Sequence, residues 1–155
     1  MKKGFTLVEL LIVLAVIAAL MAVATPMALN AVKQAKASQV AQNLNALKTS
    51  VEQYFFSEKK VPTGIADLKN YVSNFEESIS KSYRLRYQDG LNDTGNATVV
   101  VVYYGVDVSP AAVANQFNLA GTVTVANYNT GYSGDSFADK ASNLPGATIT
   151  VTKWW

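Results

Sequence analysis

The chain contains no cysteine and no histidine. Without cysteine no disulfide can close its loops and no thiolate can hold a metal; without histidine the commonest general base and metal ligand is missing. The sequence also shows no glycine-rich phosphate loop, no paired-carboxylate site and no nucleophile beside a base. These absences weigh against an enzyme and against a bound cofactor. Charge is scarce too, at 15% of residues against 50% apolar, and the 155 residues leave room for one domain and an extension but not for a second catalytic domain.

What is abundant is unevenly placed. Residues 10–24 are fifteen consecutive apolar side chains, and the remainder reads as an ordinary soluble chain. Before the run stand Met1-Lys2-Lys3-Gly4 and Phe5-Thr6-Leu7-Val8-Glu9; after it come Thr25-Pro26. A secretory signal would use the two lysines, the apolar run and Ala22-Val23-Ala24 as its cleavage site. A plain membrane anchor would use residues 5–29, about 37 Å of helix at ~1.5 Å per residue against a bilayer core of ~30 Å. In that case Lys2 and Lys3 keep the N-terminus in the cytoplasm and place everything after Leu29 outside. Glu9 sits badly with a signal, because a carboxylate inside the membrane costs roughly 2.5–3.5 kcal/mol and a disposable segment gains nothing by carrying one.

The stretch Lys3-Gly4-Phe5-Thr6-Leu7-Val8-Glu9-Leu10-Leu11-Ile12 closely resembles the cleavage and methylation motif of type IV pilins and of the pseudopilins of type II secretion. The resemblance implies a prepilin peptidase that cuts between Gly4 and Phe5 and methylates the new amine of Phe5. It divides the chain into a leader at 1–4, a transmembrane and filament-core helix at 5–29, and a globular domain at 30–155 that includes the second half of the long helix. Assembly would rest on Phe5, Glu9 and Pro26. The Glu9 carboxylate can be neutralised by the ammonium group of a neighbouring subunit's Phe5, which turns a costly buried charge into a paired one that sets register more than it adds stability. Loss of the leader takes Lys2 and Lys3 with it and leaves 11 basic side chains against 11 acidic ones. A chain so balanced has no general attraction for nucleic acid.

Pro26 lacks a backbone donor and clashes with the carbonyl of Ala22, so the helix is expected to bend or loosen over residues 22–26. In the family this implies local unwinding when subunits pack into a filament. Beyond it Val40, Leu44, Leu47, Val51 and Tyr54 recur at helical steps while Lys33, Lys36, Gln39, Gln42, Asn43 and Lys48 take other faces, the pattern of an amphipathic helix. One helix is expected from about Phe5 to Ser57, apolar in its first half and amphipathic in its second. Pro62-Thr63-Gly64 then opens a short second helix over residues 65–72, started by Thr63 or Gly64. The aromatic group Tyr54-Phe55-Phe56 before this turn is also similar to the pilin pattern.

From Tyr83 the period changes to two, with Tyr83, Leu85 and Tyr87 on one face and Arg84 and Arg86 on the other. Further strands are expected at 98–104, 122–126 and 147–153, with turn residues at 89–96 and a helix at 111–117 behind Ser109-Pro110. The resulting architecture is α+β, the pilin fold: a long N-terminal helix packed on a mainly antiparallel sheet. Many pilins close their C-terminal region with a disulfide, and this chain departs from that. Residues 127–144 are therefore expected to form a long polar loop, functional or mobile. Asp135 and Asp139 lie close enough in that loop to suggest a cation, as in some pseudopilins, but two carboxylates fall short of the six to eight oxygens calcium takes.

Lesser features remain. Asn92 and Asn96 each begin a glycosylation sequon. Lys81, Arg84 and Arg86 with Tyr83 and Tyr87 offer a basic, aromatic surface for single-stranded DNA, although a solvated strand face accounts for them as well. Trp154 and Trp155 suit adhesion, subunit packing or burial on the sheet. The resemblance implies a structural subunit of an extracellular filament used for adhesion, motility or DNA uptake, with no cofactor. Its partners would be identical subunits, the prepilin peptidase, an inner-membrane assembly platform and motor, and the membrane before assembly. A pseudopilin of type II secretion is the alternative within the class. A membrane-anchored binding module that never polymerises is the alternative outside it.

Overall fold

The computed structural model describes residues 4–73, 77–88, 96–105, 107–117, 122–124, 133–135 and 143–152. The chain divides into two compact units, Met1–Ala35 and Lys36–Trp155, and the first helix, α1 (Leu7–Glu58), contributes to both.

In the first unit α1 begins at a cap. Leu10 N donates to Thr6 O at 3.3 Å, which makes Thr6 the residue before the first helical turn. Nothing after it until Pro26 interrupts the pattern of good helix formers. The apolar side chains are exposed on every side: Leu10, Ile17 and Leu20 are 59%, 44% and 66% accessible, so the described residues of this unit form no core to receive them. The helix is long and apolar enough to cross a membrane. It stays helical through Pro26, so the loosening expected at 22–26 is not a break. Proline deletes one donor, and a single missing bond leaves the turns on either side in place. The Thr25 hydroxyl adds a bond there, donating to Met21 O at 2.8 Å.

In the second unit α1 lays one face on a sheet. Val40, Leu44, Leu47, Val51 and Tyr54, the five stripe residues read from the sequence, are all buried, together with Ala37, Ala41 and Phe55. Opposite them in the same core stand Leu85, Val99, Val101, Ala147, Ile149 and Val151. Each such side chain contributes roughly 1.5–3 kcal/mol by leaving water, so this face holds helix to sheet. Lys59 ends the helix in the left-handed region at φ 55°, with its N–H bonded to Phe55 O at 3.0 Å. The expected second helix is a 3-10 helix, Ile65–Asn70, capped at Gly64. Ser50, buried on α1, reaches Tyr71 O at 2.9 Å and fastens the end of that turn to the helix.

The remaining elements are α2 (Glu77–Ser82), β1 (Tyr83–Gln88), β2 (Asn96–Tyr103), α3 (Pro110–Phe117), β3 (Thr122–Thr124), β4 (Ser133–Gly134) and β5 (Asn143–Thr152). The strands form one five-stranded sheet in the order β3-β5-β2-β1-β4, with every described pairing antiparallel. This is the α+β architecture expected from the resemblance. Tyr83 lies opposite Tyr103 and Leu85 opposite Val101, while Val99 faces Ile149 across the next ladder. Alternation puts Val100 and Val102 on the other face of β2, and they too are fully buried.

Some elements and boundaries differ from the sequence reading. β5 starts at Asn143 because residues 143–145 pair with β3 before the ladder with β2 begins at Gly146, and Pro145, outside that second ladder, withholds no donor from it. The expected loop at 127–144 contains β4, and α2 was not anticipated. Residues 125–126 and 153, included in the expected strands, and the turn at 89–95 lie outside the described residues.

Candidate functional site

The charged group at the start of the apolar helix is Glu9, and the geometry around it is local. Thr6 N donates to Glu9 Oε2 at 2.8 Å and the Thr6 hydroxyl donates to the same oxygen at 2.7 Å. Glu9 N in turn donates to Thr6 Oγ1 at 3.3 Å. This is a capping box: the threonine side chain satisfies a free N–H of the first turn while the glutamate three residues on reaches back to the threonine N–H. Both donors converge on Oε2, and among the described residues no hydrogen bond reaches Oε1. The negative charge also lies at the positive end of the helix dipole.

The residues just before it are open. A side chain placed on Gly4 would meet nothing within 4 Å, and Phe5 is 90% exposed, so both residues of the Gly4–Phe5 peptide are open. Phe5, Thr6 and Glu9 therefore form one accessible cluster at the head of the helix, while Pro26 sits about five turns further along it.

The second unit gathers polar groups that no local pattern announces. Lys36 Nζ lies 3.2 Å from Asp107 Oδ2, and Tyr103 donates to Asp107 Oδ1 at 2.7 Å. The Tyr83 ring lies 5.1 Å from that of Tyr103, tilted by 55°, and its hydroxyl accepts a bond of 3.1 Å from the Asn43 amide. Burial pushes the Tyr83 phenol up to about 12. Burial, reinforced by the Asp107 carboxylate, raises Tyr103 as well, while the Tyr103 hydroxyl and then the Lys36 ammonium hold the Asp107 carboxyl below its ordinary range. A cavity of about 190 Å³ opens beside these residues. Lys36 and Asp107 are 71 positions apart, so sequence spacing gives no sign of the network.

The DNA-binding surface weighed from the sequence is not assembled. Tyr83 is buried at 3% exposure and Tyr87 packs against the core, whereas the Arg84 guanidinium donates to Lys81 O and Tyr83 O. Strand alternation sends the tyrosines and arginines to opposite faces, which separates stacking from charge. Asp135 accepts two backbone N–H groups, from Leu85 at 2.9 Å and Ile65 at 3.1 Å. Among the described residues no group of three or more acidic side chains is placed to hold a metal. Asp139, Asn92, Trp154 and Trp155 lie outside the described residues. Of the features missed in the sequence, the capping box had a visible signal, since Thr6-Leu7-Val8-Glu9 fits the threonine-x-x-glutamate pattern.

Comparison with known proteins bears on the same segment. The family model described as the prokaryotic N-terminal methylation motif matches residues 1–25. The chain is 34% identical over 111 residues to the type IV major pilin protein PilA of Myxococcus xanthus, which covers 72% of this chain and 39% of that protein. It is 33% identical over 99 residues to the fimbrial protein EcpB of Eikenella corrodens, covering 64% and 57% respectively. It is 37% identical over 60 residues to the type IV major fimbrial protein FimA of Dichelobacter nodosus, covering 39% and 38%. The matches thus span less than two thirds of the length of each of these relatives. No solved structure matches the chain.

Proposed function

Because this chain belongs to the type IV pilin family through its N-terminal methylation segment and its relatives, we propose that it is a structural subunit that polymerises through α1 into an extracellular filament. The observation that carries the reading is the contrast along one helix. The residues from Lys36 onward bury their apolar stripe, whereas those before it expose sixteen large apolar side chains from Phe5 to Val32. Exposed to water, that surface would cost on the order of tens of kcal/mol. It requires lipid first and other copies of the same helix later.

In this reading a prepilin peptidase removes residues 1–4, cutting between Gly4 and Phe5, and the Phe5 amine is methylated. The precursor sits in the cytoplasmic membrane with its N-terminus inside and residues 30–155 outside. An assembly platform and motor lift it out, and residues 5–29 bundle at the fibre's centre. The geometry at Glu9 suits the transfer. Thr6 occupies Oε2 before assembly, which lowers the cost of the carboxylate in lipid, and Oε1 is left to accept from the Phe5 ammonium of the next copy. Pro26 supplies a turn with one bond fewer, where the helix can lengthen on packing. The fibre serves adhesion, motility or DNA uptake.

The test is the mass of the mature chain together with Glu9→Ala. Expected are a chain that begins at Phe5 and carries one extra methyl group, and a Glu9→Ala variant that enters the membrane but yields no sheared fibres. A mature chain beginning at Thr25, or normal fibre yield from Glu9→Ala, refutes the reading. Short periplasmic fibres coupled to protein export would reassign the chain to the secretion pseudopilins.

A further inference from the structure

The strand order sends the chain on a long excursion. It leaves the sheet at β3 on one edge, appears at β4 on the opposite edge, and returns to β5 beside β3. At ~4.8 Å between neighbouring strands, the far point lies about 19 Å across the sheet. What fixes that far point is small. Among the described residues β4 has two, paired with Arg86 and Tyr87. A ladder this short cannot by itself offset the entropy of holding the connection closed.

We infer that Asp135 is the clasp that closes this excursion, one carboxylate fastening three segments of backbone. Its Oδ2 accepts from Leu85 N at 2.9 Å and from Ile65 N at 3.1 Å, while its own N–H donates to Leu85 O at 2.9 Å. The side chain joins β1 and the start of the 3-10 helix, and the main chain extends the β4 pairing by one position. Charge-assisted bonds from buried positions are the strong class of hydrogen bond, and Leu85 and Ile65 are both buried. Gly134 makes the approach feasible. Its φ is +117°, and a side chain there would come within 2.6 Å of Leu85 O and 3.2 Å of Thr63 O. The chain has no cysteine to do the same work covalently. The clasp also explains the acidic residue that suggested a cation: its lone pairs serve backbone amides.

The experiment compares amide hydrogen exchange in the full-length chain, Asp135→Ala, Asp135→Asn, and the double variant Gly64→Cys with Asp135→Cys. Gly64 has extended backbone (φ −168°) that any residue adopts, and a Cβ there would lie 3.7 Å from Asp135 Cγ, within reach of a cross-link. In Asp135→Ala the amides of Ile65, Leu85 and residue 135 should exchange roughly tenfold faster or more, with the amides of Val99 and Val101 changing less. Asp135→Asn, which keeps one accepting oxygen, should fall between. Oxidation of the double variant should restore protection at the amide of residue 135, and reduction should remove it. Wild-type protection at residue 135 in Asp135→Ala overturns the inference. If that variant does not fold, the double variant decides: equal protection of residue 135 in its oxidised and reduced forms overturns it. Fibre formation does not enter these readouts, so they stand apart from the test of polymerisation.

Discussion

Two leucines on the same helix should respond oppositely to the same substitution. Leu44 is fully buried between α1 and the sheet, and Leu20 is 66% exposed in the apolar stretch. Replacing Leu44 by alanine removes buried methylene groups and leaves a void that the sheet, held by its ladders, fills only in part. Leucine-to-alanine changes of this kind cost 2–5 kcal/mol, and about 3 kcal/mol suits a site with no solvent access. For a unit of this size 1 kcal/mol shifts the midpoint by about 4 °C, so Tm should fall by about 12 °C. Leu20→Ala opens no cavity and should leave the fold within about 0.5 kcal/mol. Its loss appears on assembly, at about 2 kcal/mol for each copy that no longer buries the side chain. Thermal unfolding of the full chain in detergent, followed by near-ultraviolet circular dichroism, reads the first effect, and sheared-fibre yield reads the second. If Leu20→Ala lowered Tm as far as Leu44→Ala, or left fibre yield untouched, the division of the helix into packed and assembly halves would be wrong.

Other consequences are local. Lys59 holds a left-handed conformation at the end of α1, so Lys59→Gly should stabilise by about 0.5–1 kcal/mol, whereas Lys59→Ala should not; equal midpoints for the two variants would exclude backbone strain there. Tyr83, pushed up to about 12 by burial, favours its neutral form in the folded state. Its contribution to stability is full below the ordinary tyrosine value of about 10 and is lost as pH rises through about 12. Tyrosinate absorbance should therefore show Tyr83 ionising after the exposed tyrosines, with loss of structure accompanying that late step; its ionisation alongside them would contradict the burial.

Periodicity was legible wherever an element was long and one face buried. The stripe from Val40 to Tyr54 and the alternation of Tyr83, Leu85 and Tyr87 both correspond to buried faces. Short elements were not legible. α2 places one described residue, Ile79, in the core and β4 has two exposed residues, too few for any period to show. Contacts between distant residues were hidden for another reason: Lys36 with Asp107, and Asp135 with Ile65 and Leu85, are joined by the fold rather than by spacing. Arg84 and Arg86 with the two tyrosines show the converse. Adjacent letters suggested one surface, yet a pleated strand turns adjacent side chains to opposite sides.

Among the described residues the two outermost strands, β3 and β4, are also the shortest, three and two residues long, while the eight- and ten-residue strands β2 and β5 lie inside. A sheet with a long bare flank invites endless pairing with its copies, the route to amyloid, and brief margins deny a newcomer the run of bonds it would need. In the filament proposed above, where copies of the chain crowd together, such brief margins leave self-association to the apolar helix and set ordered growth apart from strand pairing.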